Sequence, residues 1–319
     1  MKKLYILLTT ILVVACFTAC AEAESAEKTD KISIVTTVFP EYDWVKNILG
    51  DNPAGIELTM LLDSGVDLHS FQPNADDIMT IKACDLFIYI GGESDEWVED
   101  TLATTGTKKV RALKLIDKLG DKARLEEEVE GMETEEEEEE ECYDEHIWLS
   151  LSNAQVLTKE ICNEIASIDP EHADVYQRNA TAYIQKLSEL DKAYQKAVDE
   201  SQVKTLVFGD RFPFLYMTKD YGLTYYAAFS GCSAESEASF ETILFLAGKL
   251  DELGLHSIIT IEGTDHSIAE TIVNTTEGKN QKLLSLDSLQ SVTSKDVENG
   301  ADYFAIMENN LSVLKEALQ

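Results

Sequence analysis

Histidine is the residue type in this chain best suited to hold a transition-metal ion, because neutral imidazole is a common ligand of zinc and its neighbours. The 319 residues include five histidines, which are His69, His146, His172, His256 and His266. Metal chemistry is expected where the fold brings two of them to a ligand-binding position.

His69 and His146 lie at such positions. His69 is in residues 65–73, Gly-Val-Asp-Leu-His-Ser-Phe-Gln-Pro, just after the second predicted strand. His146 is in residues 143–150, Tyr-Asp-Glu-His-Ile-Trp-Leu-Ser, just after an acidic segment. Loops at the carboxyl ends of parallel strands are where α/β folds bind ligands. An isolated histidine more often caps or packs, so position alone makes these two residues candidates only.

The elements that must position these histidines alternate between strand and helix. β-Branched and apolar runs predict strands at 32–39, 56–62, 86–90, 110–115, 205–208, 224–229, 257–261 and 282–286. Segments with helical spacing separate them. This order is typical of mostly parallel sheets.

A long helix is predicted between the two groups of strands. Asp169 and Pro170 suit a helix start as capping residue and first helical residue. Apolar residues then recur every three or four positions, and about 30 residues form a rod of roughly 45 Å. We predict an α/β fold of two Rossmann-like lobes with mostly parallel sheets, joined by one long rigid helix. The predicted ranges are 31–168, 169–202 and 203–319 for the first lobe, the helix and the second lobe.

The N-terminal residues have the pattern of an export signal. Two lysines precede an apolar run at 4–14 that is too short for a stable membrane span. Cys16 and Cys20 each follow an alanine and resemble the bacterial lipobox. We predict a signal peptide at 1–20, lipidation at Cys20 and a polar tether at 21–30. Lipidation at Cys16 and an ordinary cleaved signal stay open as alternatives.

The remaining composition indicates a folded cell-surface protein. Hydrophobic residues are 44% of the chain, which is typical of globular proteins. The net charge of -34 repels the phosphate backbone, so nucleic acid is excluded as a partner. No later segment is expected to span a membrane, so we predict a lipid-anchored protein on the outer face of the bacterial cell membrane.

An acidic, low-complexity segment at 125–141 ends in seven glutamates, residues 135–141. Like charges at this density predict a mobile surface loop. It is either a solvated loop without a specific role or a weak collector of divalent cations. Cys142 at its end is a candidate soft ligand.

Cysteines carry little further signal. Those beyond the export signal are Cys84, Cys142, Cys162 and Cys232. They form no Cys-x-x-Cys pair, so a cysteine zinc site is not indicated. In an oxidising compartment they could form one or two disulfides.

From about Ile32 to its C-terminus, the chain resembles the solute-binding proteins of zinc and manganese ABC importers. Residues 65–73 are similar to the family segment Gly-x-x-Pro-His-x-Tyr-Glu-Pro, and residues 144–150 to Asp-Pro-His-x-Trp-Leu-Ser. Further similar segments are 91–98, 235–239, 286–289 and 303–318. The order and spacing of these pieces make the resemblance specific.

The resemblance implies that His69, His146 and Asp287 are metal ligands. The third ligand position of the family corresponds to Gly209, which has no side chain. Asp210 is the nearest replacement, with helix capping or an ion pair to Arg211 as the alternative role. Less favoured substitutes are Glu235, Glu237 and His266, whereas His172 and His256 are interpreted as structural or solvated.

The function implied by the resemblance is that of a binding protein. It would capture Zn(II) between two lobes and deliver it to an ABC permease. It would not catalyse a reaction. Two imidazoles and one or two carboxylates suit Zn(II), and Mn(II) is also feasible. A surface adhesin is a further alternative. The absence of His-Glu-x-x-His and Gly-x-Ser-x-Gly motifs argues against an enzyme. A monomer is expected, and the rigid helix predicts a small closure of the lobes.

Overall fold

Two parallel four-stranded sheets form the framework of the computed structural model, which describes residues 31–103, 110–133, 142–233, 237–263 and 265–319. The first sheet contains β1 (Ser33–Thr36), β2 (Glu57–Met60), β3 (Leu86–Tyr89) and β4 (Arg111–Lys114), in the order β2-β1-β3-β4. Val35 on β1 pairs with Thr59 on one side and Phe87 on the other. Both central strands are buried, as expected for a parallel sheet covered on two faces.

The second sheet repeats this order. It contains β5 (Thr205–Phe212), β6 (Thr224–Ser230), β7 (Ser257–Ile261) and β8 (Lys282–Leu286), in the order β6-β5-β7-β8. The predicted strand at 205–208 is therefore longer in the structure, and its pairing with β6 shifts register between Phe208 and Arg211. The carboxyl ends of β5 and β6 lie side by side, and their last residues, Phe212 and Ser230, pair with each other.

Helices of the first half cover its sheet and lead to the long helix. They are α1 (Phe39–Leu49), α2 (Ala75–Ala83), α3 (Trp97–Ala103) and α4 (Leu151–Ile168). Asn74 begins α2 by accepting hydrogen bonds from Asp76 N and Asp77 N. Ser150 begins α4 in the same way, by accepting from Asn153 N. The sequence analysis did not identify α4.

The long helix α5 (Ala173–Glu200) has 28 residues and is roughly 42 Å long. It begins three residues later than its predicted start at Asp169 and Pro170. Asp169 instead ends α4 and accepts hydrogen bonds from Tyr176 Oη (2.6 Å) and His172 Nδ1 (2.8 Å). Of the two roles predicted for His172, structural or solvated, this contact favours the structural one.

Helix α5 contacts elements on either side of it in sequence. Asn179 Nδ2 donates to Ile48 O at the end of α1, and Tyr194 Oη donates to Met307 O in the C-terminal helix. The helices of the second half are α6 (Leu215–Tyr221), α7 (Phe240–Leu253), α8 (Ser267–Thr275), α9 (Ser294–Glu298) and α10 (Tyr303–Ala317). The predicted α/β fold, with two mostly parallel sheets and one long helix between them, is confirmed. The exact lobe boundaries stay predictions.

One hydrophobic core runs through both halves. Tyr303 on α10 is fully buried, stacks edge-on against Trp44 of α1 and donates to Trp148 O ahead of α4 (2.5 Å). Such continuous packing limits relative movement of the halves. Within the described ranges, no helix combines the length and apolarity needed to cross a bilayer. The predictions for 1–20, 21–30, 135–141 and Glu235 lie outside the described residues.

Candidate metal centre

The backbones of the two candidate histidines are held by the same kind of local hydrogen bond. His69 is in a 3₁₀ turn (Leu68–Ser70) that follows β2, and Asp67 Oδ1 accepts from His69 N (3.0 Å). His146 directly precedes a second 3₁₀ turn (Ile147–Leu149), and Asp144 Oδ1 accepts from His146 N (2.8 Å). In both segments an aspartate stands two residues before the histidine. This Asp-x-His spacing is a signal that the sequence analysis did not use.

The imidazoles of His69 and His146 face each other through their Nε2 atoms, which are 3.3 Å apart. Two nitrogens bound to one tetrahedral zinc ion, each at about 2.05 Å, are about 3.3 Å apart. The pair therefore has the spacing of two ligands on one ion. His146 is fully buried, and the His69 side chain is 12% exposed, so an ion between them would be largely shielded from water.

The outer nitrogens of both rings have polar partners. His146 Nδ1 lies 3.1 Å from Asp144 Oδ1, and His69 Nδ1 lies 2.9 Å from Ser94 Oγ and 3.4 Å from Glu145 Oε2. Ser94 N donates to Glu145 Oε1 (2.7 Å), which fixes this carboxylate. When Nδ1 donates outwards, Nε2 presents its lone pair inwards. Metal-binding histidines commonly have such partners, which set the tautomer and ring orientation.

Burial and local charge shift the pKa values of these groups in different directions. Burial and the nearby His146 lower the pKa of His69 to about 3, so this ring is neutral at neutral pH. For His146, burial also disfavours the cation, but the Asp144 carboxylate outweighs it and the pKa is raised. Burial raises the pKa of Glu145. A divalent ion would be attracted by the imidazole nitrogens and by the neighbouring acidic groups.

Cys232 lies together with the two histidines. The sequence analysis did not identify this cysteine as a candidate ligand. Within the described ranges, His69, His146 and Cys232 form a group whose ligand atoms all lie within 4.8 Å of one another. The absence of a Cys-x-x-Cys pair was therefore an insufficient reason to discount cysteine, since a single thiol from a distant strand end completes the group. Burial, and then Glu126, raise the pKa of the Cys232 thiol well above its usual value.

The other cysteines do not join this group. Cys84, Cys142, Cys162 and Cys232 are not joined by disulfides in the described part of the chain, so the disulfides allowed by the sequence do not form there. Cys142, the soft ligand suggested by sequence, directs its sulfur to Glu126 Oε2 (3.8 Å).

Asp287 lies outside the three-residue group. It follows β8, and its Oδ1 accepts from Leu289 N (2.8 Å). Burial and the neighbouring Glu262 raise its pKa to about 6. Trp148 Nε1 donates to Ser288 O (2.8 Å), which holds the end of β8 against the segment that carries His146.

Asp210 and its neighbours have structural contacts. Asp210 accepts from Arg211 N (2.9 Å) through Oδ1 and from Ile261 N (3.3 Å) through Oδ2. Arg211 forms its ion pair with Asp67 rather than with Asp210. Asp210 is also outside the three-residue group.

Gly209, at the family's third ligand position, is tightly packed. A Cβ atom there would lie 2.7 Å from Ala269 Cα on α8, so the position has no room for a ligand side chain. Of the weaker substitutes, Glu237 is exposed and His266 directly precedes α8. His256 is exposed, in agreement with a solvated role.

Comparison with known proteins agrees with this fold and identifies the family. The sequence model of the family described as ZnuA, zinc-uptake complex component A periplasmic, matches residues 34–317. The high-affinity zinc uptake system protein ZnuA of Bacillus subtilis (strain 168) is 30% identical over 311 residues, which cover 97% of this chain and 94% of that protein. This chain belongs to the ZnuA family, whose members are binding proteins rather than enzymes.

Two further similarities concern a longer relative. The zinc-binding lipoprotein AdcA of Streptococcus pneumoniae (strain ATCC BAA-255 / R6) is 31% identical over 319 residues, which are 99% of this chain. This chain spans 61% of the length of AdcA. The crystal structure of the Zn(II)-bound ZnuA-like domain of Streptococcus pneumoniae AdcA superposes with a TM-score of 0.71 at 29% identity, covering 90% of this chain and 99% of that domain.

Proposed function

We propose that this chain captures Zn(II) outside the cytoplasm and delivers it to the permease of an ABC importer. The observation that carries the proposal is the pair of Nε2 atoms of His69 and His146, 3.3 Å apart, with their outer nitrogens held by Ser94 and Asp144. Both relatives named above are described as zinc-binding or zinc-uptake proteins, which supports the same cargo.

The ligand set of the proposal begins with His69 and His146. Asp287 is retained as a carboxylate ligand on the strength of the family resemblance and its place beside Ser288, which Trp148 holds. Asp210 is the weaker candidate, since both of its oxygens already accept backbone hydrogen bonds. An ion bound by His69, His146 and Asp287 would connect the two halves of the molecule.

The cellular part of the proposal rests on the N-terminal sequence and on the family. Lipidation at Cys20 would hold the protein at the outer face of the cell membrane. The permease would accept the ion there. The lipoprotein description of AdcA supports this anchoring. Zn(II) is preferred to Mn(II) because two imidazoles form the centre of the site, and imidazole suits zinc, whereas Mn(II) favours oxygen ligands.

Calorimetric titration with Zn(II) and Mn(II) tests the proposal on the purified chain. The wild type should bind one Zn(II) ion per chain. His69→Ala and His146→Ala should each weaken binding by more than the roughly 10- to 100-fold that loss of an outer hydrogen-bond partner costs. Deletion of residues 135–141 should leave the affinity nearly intact.

His256→Ala is the matched control, because this histidine is exposed and belongs to no metal group among the described residues. Unchanged zinc binding in both His69→Ala and His146→Ala would disprove the proposed site. Loss of binding on deletion of 135–141 instead would move the site to that segment.

A further inference from the structure

We infer that the Cys232 sulfur supplies the ligand that is missing at Gly209, beside His69, His146 and Asp287. The cargo is then a thiophilic divalent ion held by two imidazoles, one thiolate and one carboxylate. This inference rests on the proposed function and deepens it, since it specifies the class of ion. A search for the Cys-x-x-Cys motif of known zinc sites does not identify this ligand, because the group contains one cysteine, Cys232.

The first argument is the geometry of the three ligand atoms. One ring nitrogen of His69, one ring nitrogen of His146 and the Cys232 sulfur all lie within 4.8 Å of one another. In a tetrahedral zinc site, with bonds of about 2.05 Å to nitrogen and 2.3 Å to sulfur, a nitrogen and a sulfur are about 3.6 Å apart. The three residues therefore lie close enough together for side-chain rotation to direct them at one ion.

The second argument is the close approach of the Cys232 turn to His146. Gly231 directly precedes Cys232, and a Cβ atom at Gly231 would lie 2.9 Å from His146 Cε1 and 2.9 Å from Phe212 O. Only a glycine fits this contact without displacing the imidazole. The backbone that carries Cys232 is thus in direct contact with a metal-binding ring.

The third argument is the hydrogen bond that holds the turn. Cys232 N donates to Glu126 Oε1 (3.2 Å), and Glu126 N in turn donates to Cys142 O (3.0 Å). These bonds anchor the backbone of Cys232 beside the histidines. The position of the sulfur therefore depends mainly on the rotation of one side-chain bond.

The fourth argument explains why the ligand lies on β6. Within β5, Gly209 packs against Ala269 and has no room for a side chain. Strands β5 and β6 are parallel neighbours, and Phe212 pairs with Ser230 at their shared edge. Cys232 follows two residues later, so a ligand missing from β5 is supplied from the next strand of the same sheet.

The ligand class determines the preference among ions. Thiolate favours zinc and other soft ions, whereas carboxylate and water suit Mn(II). When the sulfur binds the ion, its thiol proton is released to solvent. The site should therefore discriminate against Mn(II) more strongly than a site of imidazoles and carboxylates.

Cobalt(II) spectroscopy and zinc competition on the purified full chain test the inference. Wild-type protein with Co(II) should show a sulfur-to-cobalt charge-transfer band in the near ultraviolet. Cys232→Ser should lose this band and bind Zn(II) at least about 10-fold more weakly. Cys232→Asp should keep Zn(II) binding in part and lower the ratio of Zn(II) to Mn(II) affinity.

Cys142→Ser is the matched control, because this thiol lies beside the same Glu126 but outside the metal group. It should retain the cobalt band and the wild-type zinc affinity. Thermal melts of the metal-free variants establish that each one is folded. If wild-type protein binds zinc without a sulfur band, and Cys232→Ser binds as tightly as wild type, the inference is overturned and the proposed function stands. If His69→Ala and His146→Ala also bind normally, the proposed function fails as well.

Discussion

Arg211 and Asp67 connect the second sheet to the turn that carries His69. Arg211 Nη2 donates to Asp67 Oδ2 (2.7 Å), while Asp67 Oδ1 accepts from His69 N (3.0 Å). One carboxylate thus accepts hydrogen bonds from both the end of β5 and the backbone of His69. Burial opposes ionisation of Asp67, but the Arg211 guanidinium outweighs it and lowers the pKa of this carboxyl group.

Arg211→Ala should weaken zinc binding by about 10-fold. Asp67 would lose its ion-pair partner and would hold the backbone of His69 less firmly. The free energy of unfolding of the metal-free protein should change by less than about 1 kcal/mol, since the ion pair is partly exposed to solvent. Calorimetric titration and urea denaturation measure the two effects separately.

Lys249→Ala is a suitable control, because Lys249 pairs with Glu252 (3.1 Å) within one helix and outside the metal group. Arg211→Lys should recover part of the affinity, since lysine keeps the charge but not the planar donor geometry of arginine. Equal zinc affinities in wild type and Arg211→Ala would show that Asp67 holds His69 without help from the second sheet.

Much of the fold was predictable from the sequence because apolar periodicity and strand–helix order report directly on parallel sheets. The start of α5 was misplaced because Asp169 and Pro170 resemble a helix start, although Asp169 in fact ends α4 and bonds Tyr176. Helix α4 was missed even though its buried residues recur at helical spacing, namely Leu151, Ala154, Leu157, Ile161 and Ile165.

The site was only partly predictable. His69 and His146 were predicted because each lies in a local segment with a family counterpart, and the structure brings their rings together. Cys232 has no local pattern, because its proximity to the histidines arises from sheet order and from the contact of Gly231 with His146. Tertiary proximity of this kind leaves no periodic signal in the sequence.

Gly209→Ala should destabilise the protein by about 1–3 kcal/mol through overpacking. The new Cβ would lie 2.7 Å from both Cα and Cβ of Ala269, and 2.8 Å from Ile258 Cδ1. Gly209→His, which places imidazole at the family's ligand position, should be still less stable and should not tighten zinc binding. Urea denaturation and zinc titration measure these outcomes.

Gly248→Ala provides the control for this pair of variants, because no atom lies within 4 Å of a Cβ at Gly248 in α7. It should stabilise the protein by up to about 1 kcal/mol through the better helix propensity of alanine. Tighter zinc binding in Gly209→His would show that the position can still supply a ligand.

Gly231→Ala should weaken zinc binding by about 10-fold, with the secondary structure unchanged. Its Cβ would lie 2.9 Å from His146 Cε1 and 3.1 Å from His146 Nδ1, so the turn or the ring must move. Zinc titration gives the affinity and circular dichroism gives the secondary structure, with Gly248→Ala again as control. Wild-type affinity in Gly231→Ala would mean that the close contact with His146 is not needed for binding.

Asp43 provides a pH-dependent test of the buried core, outside the candidate metal centre. It is 1% exposed, and Asn47 Nδ2 donates to its Oδ2 (2.9 Å). Burial, and then the nearby Asp302, raise the pKa of Asp43 to about 7. Because the pKa is about 3.9 in an unfolded chain, the favourable contribution of the protonated group is complete below about pH 3.9 and is lost as the pH rises through about 7.

Asp43→Asn should remove this loss, because the amide keeps an acceptor oxygen for Asn47 and does not ionise. The variant should be about as stable as wild type at pH 4 and up to about 4 kcal/mol more stable at pH 8, since three pKa units correspond to about 4 kcal/mol. Urea denaturation of metal-free protein at pH 4, 6 and 8 measures the difference in the free energy of unfolding. A difference that stays constant across this range would show that Asp43 ionises in the folded protein as readily as in the unfolded chain.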